Sequence, residues 1–101
     1  MRLWLDDIRT PPKGWDWVKT AEDAIGQLRS GTVSEISLDH DLGDDSSGTG
    51  YTVALWLEEE AAAGNWDRIP RVIRIHSANP VGVKNIEAAI VSIERIRSHS
   101  S

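Results

Sequence analysis

The sequence predicts a single α/β domain: a small open parallel sheet of about four strands with three helices. Two observations predict this fold class. Short segments of alternating apolar residues each run into acidic or polar residues, and segments with helical apolar spacing separate them. At 101 residues the chain is long enough for one core and too short for two. We expect residues 1–97 to form the domain and the polar residues 98–101 to form a flexible tail.

The first strand is predicted at residues 2–7 and ends in two acids. Leu3 and Leu5 alternate with Trp4, and an Asp-Asp pair then precedes a Thr-Pro-Pro turn. A short aromatic strand is predicted next, at residues 15–19. Two strands are therefore expected before the first helix.

The first helix is predicted to follow Thr20. Thr20 and Asp23 have the spacing of a capping box, and Gly31 is suited to follow a helix end. The apolar positions between them recur at helical spacing: Ala21, Ala24, Ile25 and Leu28.

The third strand, at residues 35–38, repeats the pattern of the first. It runs directly into Asp39, so a second strand ends in acid. A loop rich in Asp, Ser and Gly follows at residues 43–50, and a helix is predicted at residues 51–63.

The last strand is predicted at residues 71–75, and the last helix follows it. His76 and Ser77 come directly after this strand. Asn79 can cap the helix and Pro80 can occupy its first position, where a missing N–H costs nothing. Helices between successive strands predict parallel pairing with right-handed crossovers.

Parallel pairing brings the carboxyl ends of the strands to one edge of the sheet, which is where open α/β sheets bind ligands. The polar residues expected at this edge are Asp6, Asp7, Asp39, His40, Asp41, His76 and Ser77.

The alternation also predicts two unlike sheet faces. The apolar face comprises Leu3, Leu5, Ile36, Leu38, Ile73 and Ile75, and the half-polar face comprises Trp4, Ser37, Val72 and Arg74. We expect the two crossover helices on the apolar face. The half-polar face should be covered only thinly, by the last helix, the region of Trp15 and Trp17, or a partner subunit, so a homo-oligomer through this face is one expectation.

Three of the edge residues are predicted to hold a metal. Asp6, Asp7 and Asp39 offer only oxygen ligands, which suit a hard divalent cation, with Mg²⁺ expected. The alternative is that strand-end aspartates only cap turns or helices. The convergence of three favours the metal, and Asp39 is also a candidate catalytic residue.

Two histidines at the same edge are candidate catalytic residues. His40 lies between Asp39 and Asp41, whose charges favour its protonated form, and His76 follows the neighbouring strand. Together they form a candidate acid and base pair across one phosphorus atom. The alternative for each is a ring satisfied by a backbone carbonyl.

Further edge residues are candidates for binding substrate. They are Arg9, Asp41, Gly43, Ser77, Asn79 and Asn85. The start of the last helix favours an anion, Gly43 would let backbone amides approach a phosphate, and Arg9 could clamp one. A surface salt bridge for Arg9 and a helix cap for Asn79 are the simpler alternatives.

The amino-acid composition argues against several classes of protein. The chain has no cysteine, so neither a disulfide framework nor a thiolate metal site is available, and no apolar run approaches the length of a membrane span. We therefore expect a cytoplasmic protein without a membrane partner. The net charge of −5 and the scattered basic residues disfavour duplex DNA.

These segments, in this order, resemble the cyclic-phosphate processing receiver domain family. The motifs that carry the resemblance are LWLDDIRTPP at residues 3–12, SLDHDLG at residues 37–43 and HSANP at residues 76–80, followed by Gly82 and Asn85. The resemblance spans residues 2–90 and implies a trimmed receiver fold with strand order 2-1-3-4. It also implies processing of a cyclic phosphate on a nucleotide or RNA-derived product.

In that resemblance the Asp6, Asp7 and Asp39 set looks like the receiver metal pocket, with His40 and His76 as added catalytic groups. The leading hypothesis is a metal-assisted phosphoesterase. The alternative is a signalling or nucleotide-binding module with a Mg-dependent phosphate site and no turnover. A third hypothesis is an accessory protein that pairs through its half-polar face.

Overall fold

The computed structural model describes residues 1–42 and 48–100, the last of these without its side chain. Four parallel strands form one sheet in the order β2-β1-β3-β4. The strands are β1 (Arg2–Leu5), β2 (Asp16–Val18), β3 (Glu35–Leu38) and β4 (Val72–Ile75). The helices are α1 (Ala21–Leu28), α2 (Gly50–Ala62) and α3 (Pro80–Ser100), and a short 3₁₀ turn spans Trp66–Arg68. The predicted α/β class, strand order and helix number are confirmed.

The core lies on the apolar face of the sheet. The register places Leu3 beside Ile36 and Leu5 beside Leu38, and all four side chains are fully buried. Buried residues of the three helices complete this core: Ala21, Ala24, Leu28, Val53, Ala54, Leu57, Ala61, Ile86, Ala89 and Ile93. The crossover helices therefore lie on the apolar face, as predicted.

The last helix does not cover the half-polar face. α3 packs mainly against α2 and also touches β4, and its Ile86 and Ile93 are buried in the core. A helix with one apolar stripe lies where that stripe can be buried, and α2 offers an apolar surface that the half-polar sheet face lacks. Three coverings were expected for the half-polar face, and the structure excludes α3. The region of Trp15 and Trp17 and a partner subunit are the two that remain.

Side chains of the sheet itself occupy the half-polar face. Trp17, Trp4, Ser37 and Arg74 are register neighbours across the four strands. Nearer the amino ends, Glu35 accepts a charged hydrogen bond from Arg74 at 2.6 Å. Aromatic contacts and ion pairs therefore take the place of a packed helix on this side.

The helix starts follow the predicted capping chemistry. The Thr20 hydroxyl accepts from the backbone N–H of Asp23, and the Asn79 side chain accepts from the first free N–H groups of α3. The backbone of α3 continues through Ser98 and His99, so part of the predicted tail is helical. The domain boundary at residue 97 stays a prediction. None of the helices in the two described ranges combines the length and apolar character needed to cross a bilayer.

Candidate active site at the carboxyl end of the sheet

Three aspartates converge where β1 and β3 end. One carboxylate oxygen from each of Asp6, Asp7 and Asp39 lies within 4.8 Å of the other two. They line a cavity of about 370 Å³. The other described residues of its wall are Ile8, Arg9, Asp41 and Ala78. The structure thus brings together the carboxylates that parallel pairing predicted at one edge.

Asp6 is buried and almost saturated with hydrogen bonds. Its Oδ1 accepts from the backbone N–H groups of Ile8 at 2.8 Å and Arg9 at 2.9 Å, and its Oδ2 accepts from His76 Nε2 at 3.1 Å. Burial alone would raise its pKa, but these bonds stabilise the anion more strongly, so the pKa of Asp6 is lowered. These hydrogen bonds therefore favour ionised Asp6 despite its burial.

Asp39 lies in the opposite environment. Burial raises its pKa, and the negative charge of Asp6 raises it further. A hydrogen bond from the Ser77 hydroxyl and the charge of His76 offset these effects only in part. Crowded carboxylates of this kind are relieved by a divalent cation, and oxygen donors are the ligands that Mg²⁺ prefers. The three side chains therefore fit a divalent cation.

His76 is locked by side chains on both ring nitrogens. Nδ1 lies 2.6 Å from Ser37 Oγ, and Nε2 lies 3.1 Å from Asp6 Oδ2. The ring stacks on Trp4 with centroids 3.8 Å apart and planes within 10°. Because ionised Asp6 can only accept, Nε2 donates to it, and Nδ1 shares a hydrogen bond with the Ser37 hydroxyl. Neither nitrogen is satisfied by a backbone carbonyl, which was the simpler expectation.

His40 lies against the start of α3 and is not among the described residues that line the cavity. Its Nδ1 lies 3.0 Å from Asp41 Oδ1, and that hydrogen bond lowers the pKa of Asp41. Asn79 Nδ2 also donates to Asp41, at 3.4 Å. The imidazole packs so closely on Gly82 that a methyl group there would overlap the ring. A carboxylate and a helix start therefore fix the orientation of this histidine.

Of the predicted substrate-binding residues, Arg9 and Asp41 line the cavity, whereas Ser77 and Asn79 do not line it but form hydrogen bonds with its aspartates. Arg9 lines it, and its Nη1 donates to the carbonyl of His76 at 3.2 Å. Ser77 donates to Asp39 and accepts from the backbone N–H of Asn79. Asn79 caps α3, as expected, in addition to its contact with Asp41.

The two remaining predicted substrate-binding residues are Asn85 and Gly43. Asn85 is exposed on the second turn of α3 and is not among the described residues that line the cavity. Gly43 lies outside the described residues, together with most of the glycine-containing loop. Their proposed contacts with substrate stay predictions.

Trp4, Ser37 and Gly82 contact the two histidines directly, although the sequence predicted no functional role for them. The sequence could have pointed to the first two. Side chains two positions apart in a strand share a sheet face, so Trp4 lies on the face of Asp6 and Ser37 on the face of Asp39. Gly82 was marked only as a position of the family motif, and its contact with His40 depends on where α3 lies.

A four-stranded parallel sheet with an acidic pocket at its carboxyl edge defines a receiver-like α/β domain with a candidate divalent-cation pocket. The family model of the cyclic-phosphate processing receiver domain matches residues 1–92. The chain therefore belongs to this family, as its motifs predicted. No curated protein and no solved structure matches the chain.

Proposed function

We propose that this domain is a metal-assisted phosphoesterase that opens a cyclic phosphate on a nucleotide or RNA-derived product. The observation that carries the proposal is the carboxylate cluster of Asp6, Asp7 and Asp39 in one cavity wall with Asp41, the partner of His40. The family supports cyclic-phosphate processing as the chemistry.

The three aspartates would hold the cation, with Mg²⁺ as the expected ion. When bound, a divalent cation neutralises charge on a phosphoryl group and polarises it. Asp6 suits this role because backbone N–H groups and His76 keep it ionised and fix its orientation. Arg9 would pair with a phosphate oxygen from the cavity wall.

His40 is the residue assigned to proton transfer. Ionised Asp41 holds the proton on Nδ1, which leaves Nε2 to accept or donate a proton. In the reaction, water adds its oxygen to phosphorus, one ring P–O bond breaks, and the departing oxygen takes up a proton. The water supplies both the oxygen and the proton, so the step balances without a further reactant.

His76 is assigned the positioning of Asp6. Both of its ring nitrogens are already bonded, so direct proton transfer would require it to release Asp6 or Ser37. A positioning role predicts that His76→Ala weakens Mg²⁺ binding, measured as the rise in melting temperature with added Mg²⁺, whereas His40→Ala leaves that rise intact. The reverse result would return direct proton transfer to His76.

Incubation with cyclic mononucleotides of both ring types, and with RNA ending in a cyclic phosphate, tests the activity. We expect the wild type with Mg²⁺ to open at least one of them and His40→Ala to turn over about 10²- to 10⁴-fold more slowly. His99→Ala, which lies in the last turn of α3, is the matched control and should retain full activity. Equal turnover in all three proteins would refute the proposal.

The position of Asp39 favours a second candidate function. Its carboxylate faces the same cavity and follows β3, where a phosphoryl group could be accepted or a phosphate bound without turnover. Labelling of Asp39 by acetyl phosphate, together with no hydrolysis of any cyclic phosphate, would support a signalling or nucleotide-binding module instead.

A further inference from the structure

A second and larger cavity lies at the opposite end of the sheet. Its volume is about 860 Å³, and its wall includes Arg2, Glu35 and Val72, which are the first residues of three strands. The aspartate pocket lies where the same strands end. The two cavities are therefore separate sites.

Three arginines line this second cavity, although the protein carries a net charge of −5. They come from distant parts of the chain: Arg2 opens β1, Arg71 precedes β4, and Arg97 lies near the end of α3. Among the described residues of the wall, Glu35 is the one acid, and it pairs with Arg74 at 2.6 Å and with Arg2 at 3.8 Å. Arg97 lies 3.8 Å from Glu94, which is outside the wall, and Arg71 adds a further positive charge. The cavity is therefore electropositive and favours an anion.

The remaining wall is apolar and aromatic. Val33, Ile69 and Val72 contribute aliphatic surface, and Trp66 contributes an indole ring. The Arg97 guanidinium lies over that ring, 5.2 Å from its centroid. An anionic group and a flat ring would thus find partners side by side on the same wall.

We propose that this cavity binds a small organic anion with a flat aromatic ring, of the nucleoside monophosphate type. The arginines of the wall supply positive charge for its phosphate, and Trp66 with the aliphatic residues contacts its base. The cavity has the size usual for small-molecule sites and far exceeds what inorganic phosphate fills. An aromatic anion matches both the charge and the apolar surface, whereas a bare anion leaves the apolar wall unused.

Calorimetric titration in EDTA tests this proposal, because without a cation the aspartate pocket repels anions. We expect adenosine monophosphate to bind, and both adenosine and inorganic phosphate to bind at least about tenfold more weakly. Arg71→Gln should weaken binding of adenosine monophosphate about tenfold. Arg95→Gln makes the same charge change at an exposed position of α3 outside the wall and should bind like the wild type.

Trp66→Leu separates the aromatic contact from the charge. It should weaken the binding of adenosine monophosphate more than the binding of phosphate, with circular dichroism confirming that each variant folds. No binding by the wild type, or equal affinities of Arg71→Gln and Arg95→Gln, would overturn the proposal. If phosphate bound as tightly as adenosine monophosphate, the proposed contact between Trp66 and an aromatic base would be overturned. Because no turnover is measured, failure of the phosphoesterase proposal leaves this test intact.

Discussion

At the scale of single residues, the pocket places two neighbouring aspartates in opposite electrostatic conditions. Hydrogen bonds to Asp6 hold its pKa down despite burial, whereas burial and the charge of Asp6 raise the pKa of Asp39. The ionised form of Asp39 is therefore unfavourable in the folded protein. At neutral pH its negative charge lowers the stability of the metal-free protein. The same charge becomes favourable when a cation is bound.

Asp39→Asn should raise the melting temperature of the metal-free protein. Asparagine removes the unfavourable charge and can still accept the hydrogen bond from Ser77. A like-charge contact at a solvent-screened site is worth about 0.5 kcal/mol, which corresponds to about 2–4 °C for a domain of this size. Calorimetry in EDTA measures the change, and Asp16→Asn, at an exposed position of β2, is the charge-matched control.

Mg²⁺ and pH should each change the difference in melting temperature between Asp39→Asn and the wild type, in a defined direction. Added Mg²⁺ should stabilise the wild type more than the variant, which has lost a ligand. The pKa of Asp39 is higher in the folded than in the unfolded protein, so the protonated side chain favours folding and that contribution is lost as pH rises through the folded-state pKa. The advantage of the variant should therefore shrink as pH falls towards about 4. Equal melting temperatures at neutral pH would contradict this account.

At the scale of elements, α3 contributes to the site as well as to the core. Asn79 and Pro80 set where the helix begins, and its first turn then lies against His40. Gly82 permits this approach because any side chain there would collide with the imidazole. The start of α3 thus helps to orient His40, the proposed proton-transfer group, although His40 follows β3 and α3 follows β4.

Gly82→Ala should displace His40 and lower activity on the substrate found in the cyclic-phosphate panel. A misplacement of about 1 Å can cost about a hundredfold in rate. Gly26→Ala is the matched control, because Gly26 lies within α1 and an added methyl group meets no atom within 4 Å. It should keep full activity and stabilise the helix by about 0.5–1 kcal/mol. The NMR signals of the His40 ring give a readout independent of turnover, and an unshifted ring in Gly82→Ala would contradict the prediction.

At the scale of the whole molecule, three helices share one side of the sheet. Among the described residues, the other side carries strand side chains together with Trp15 and His76, which both pack on Trp4. Trp17 remains 38% exposed there, although its indole N–H donates to the carbonyl of Asp6 at 2.7 Å. Arg74 and Glu35 form an ion pair on the same face. Pairing of two copies through this face stays a prediction.

Sedimentation velocity over a range of concentrations tests this pairing. We expect a dimer that Arg74→Glu weakens, because the new carboxylate repels Glu35 within each copy and across the interface. Arg95→Glu makes the same charge change on α3 and should dimerise like the wild type. Substitution of Trp17 is a poorer probe, since it would also disturb Asp6. A wild type that stays monomeric at every concentration would contradict the prediction.

The local features of this protein were determined by its sequence alone. Alternation in β3 predicted its bounds, an Asn-Pro pair predicted the start of α3, and acids after two strands predicted the carboxylate cluster. Each of these depends on residues close together in the chain and on one rule, that crossover helices make strands parallel.

Only the tertiary structure decided how the two histidines differ and where the arginines gather. The bonds of His76 reach partners 39 and 70 positions away, and the second cavity joins segments from both ends of the chain. Such contacts depend on the register of three strands and on the packing of α3 against α2 rather than against the open sheet face. Periodicity specifies which face of an element is apolar, but the competition among surfaces that can bury it is settled only when the whole chain packs.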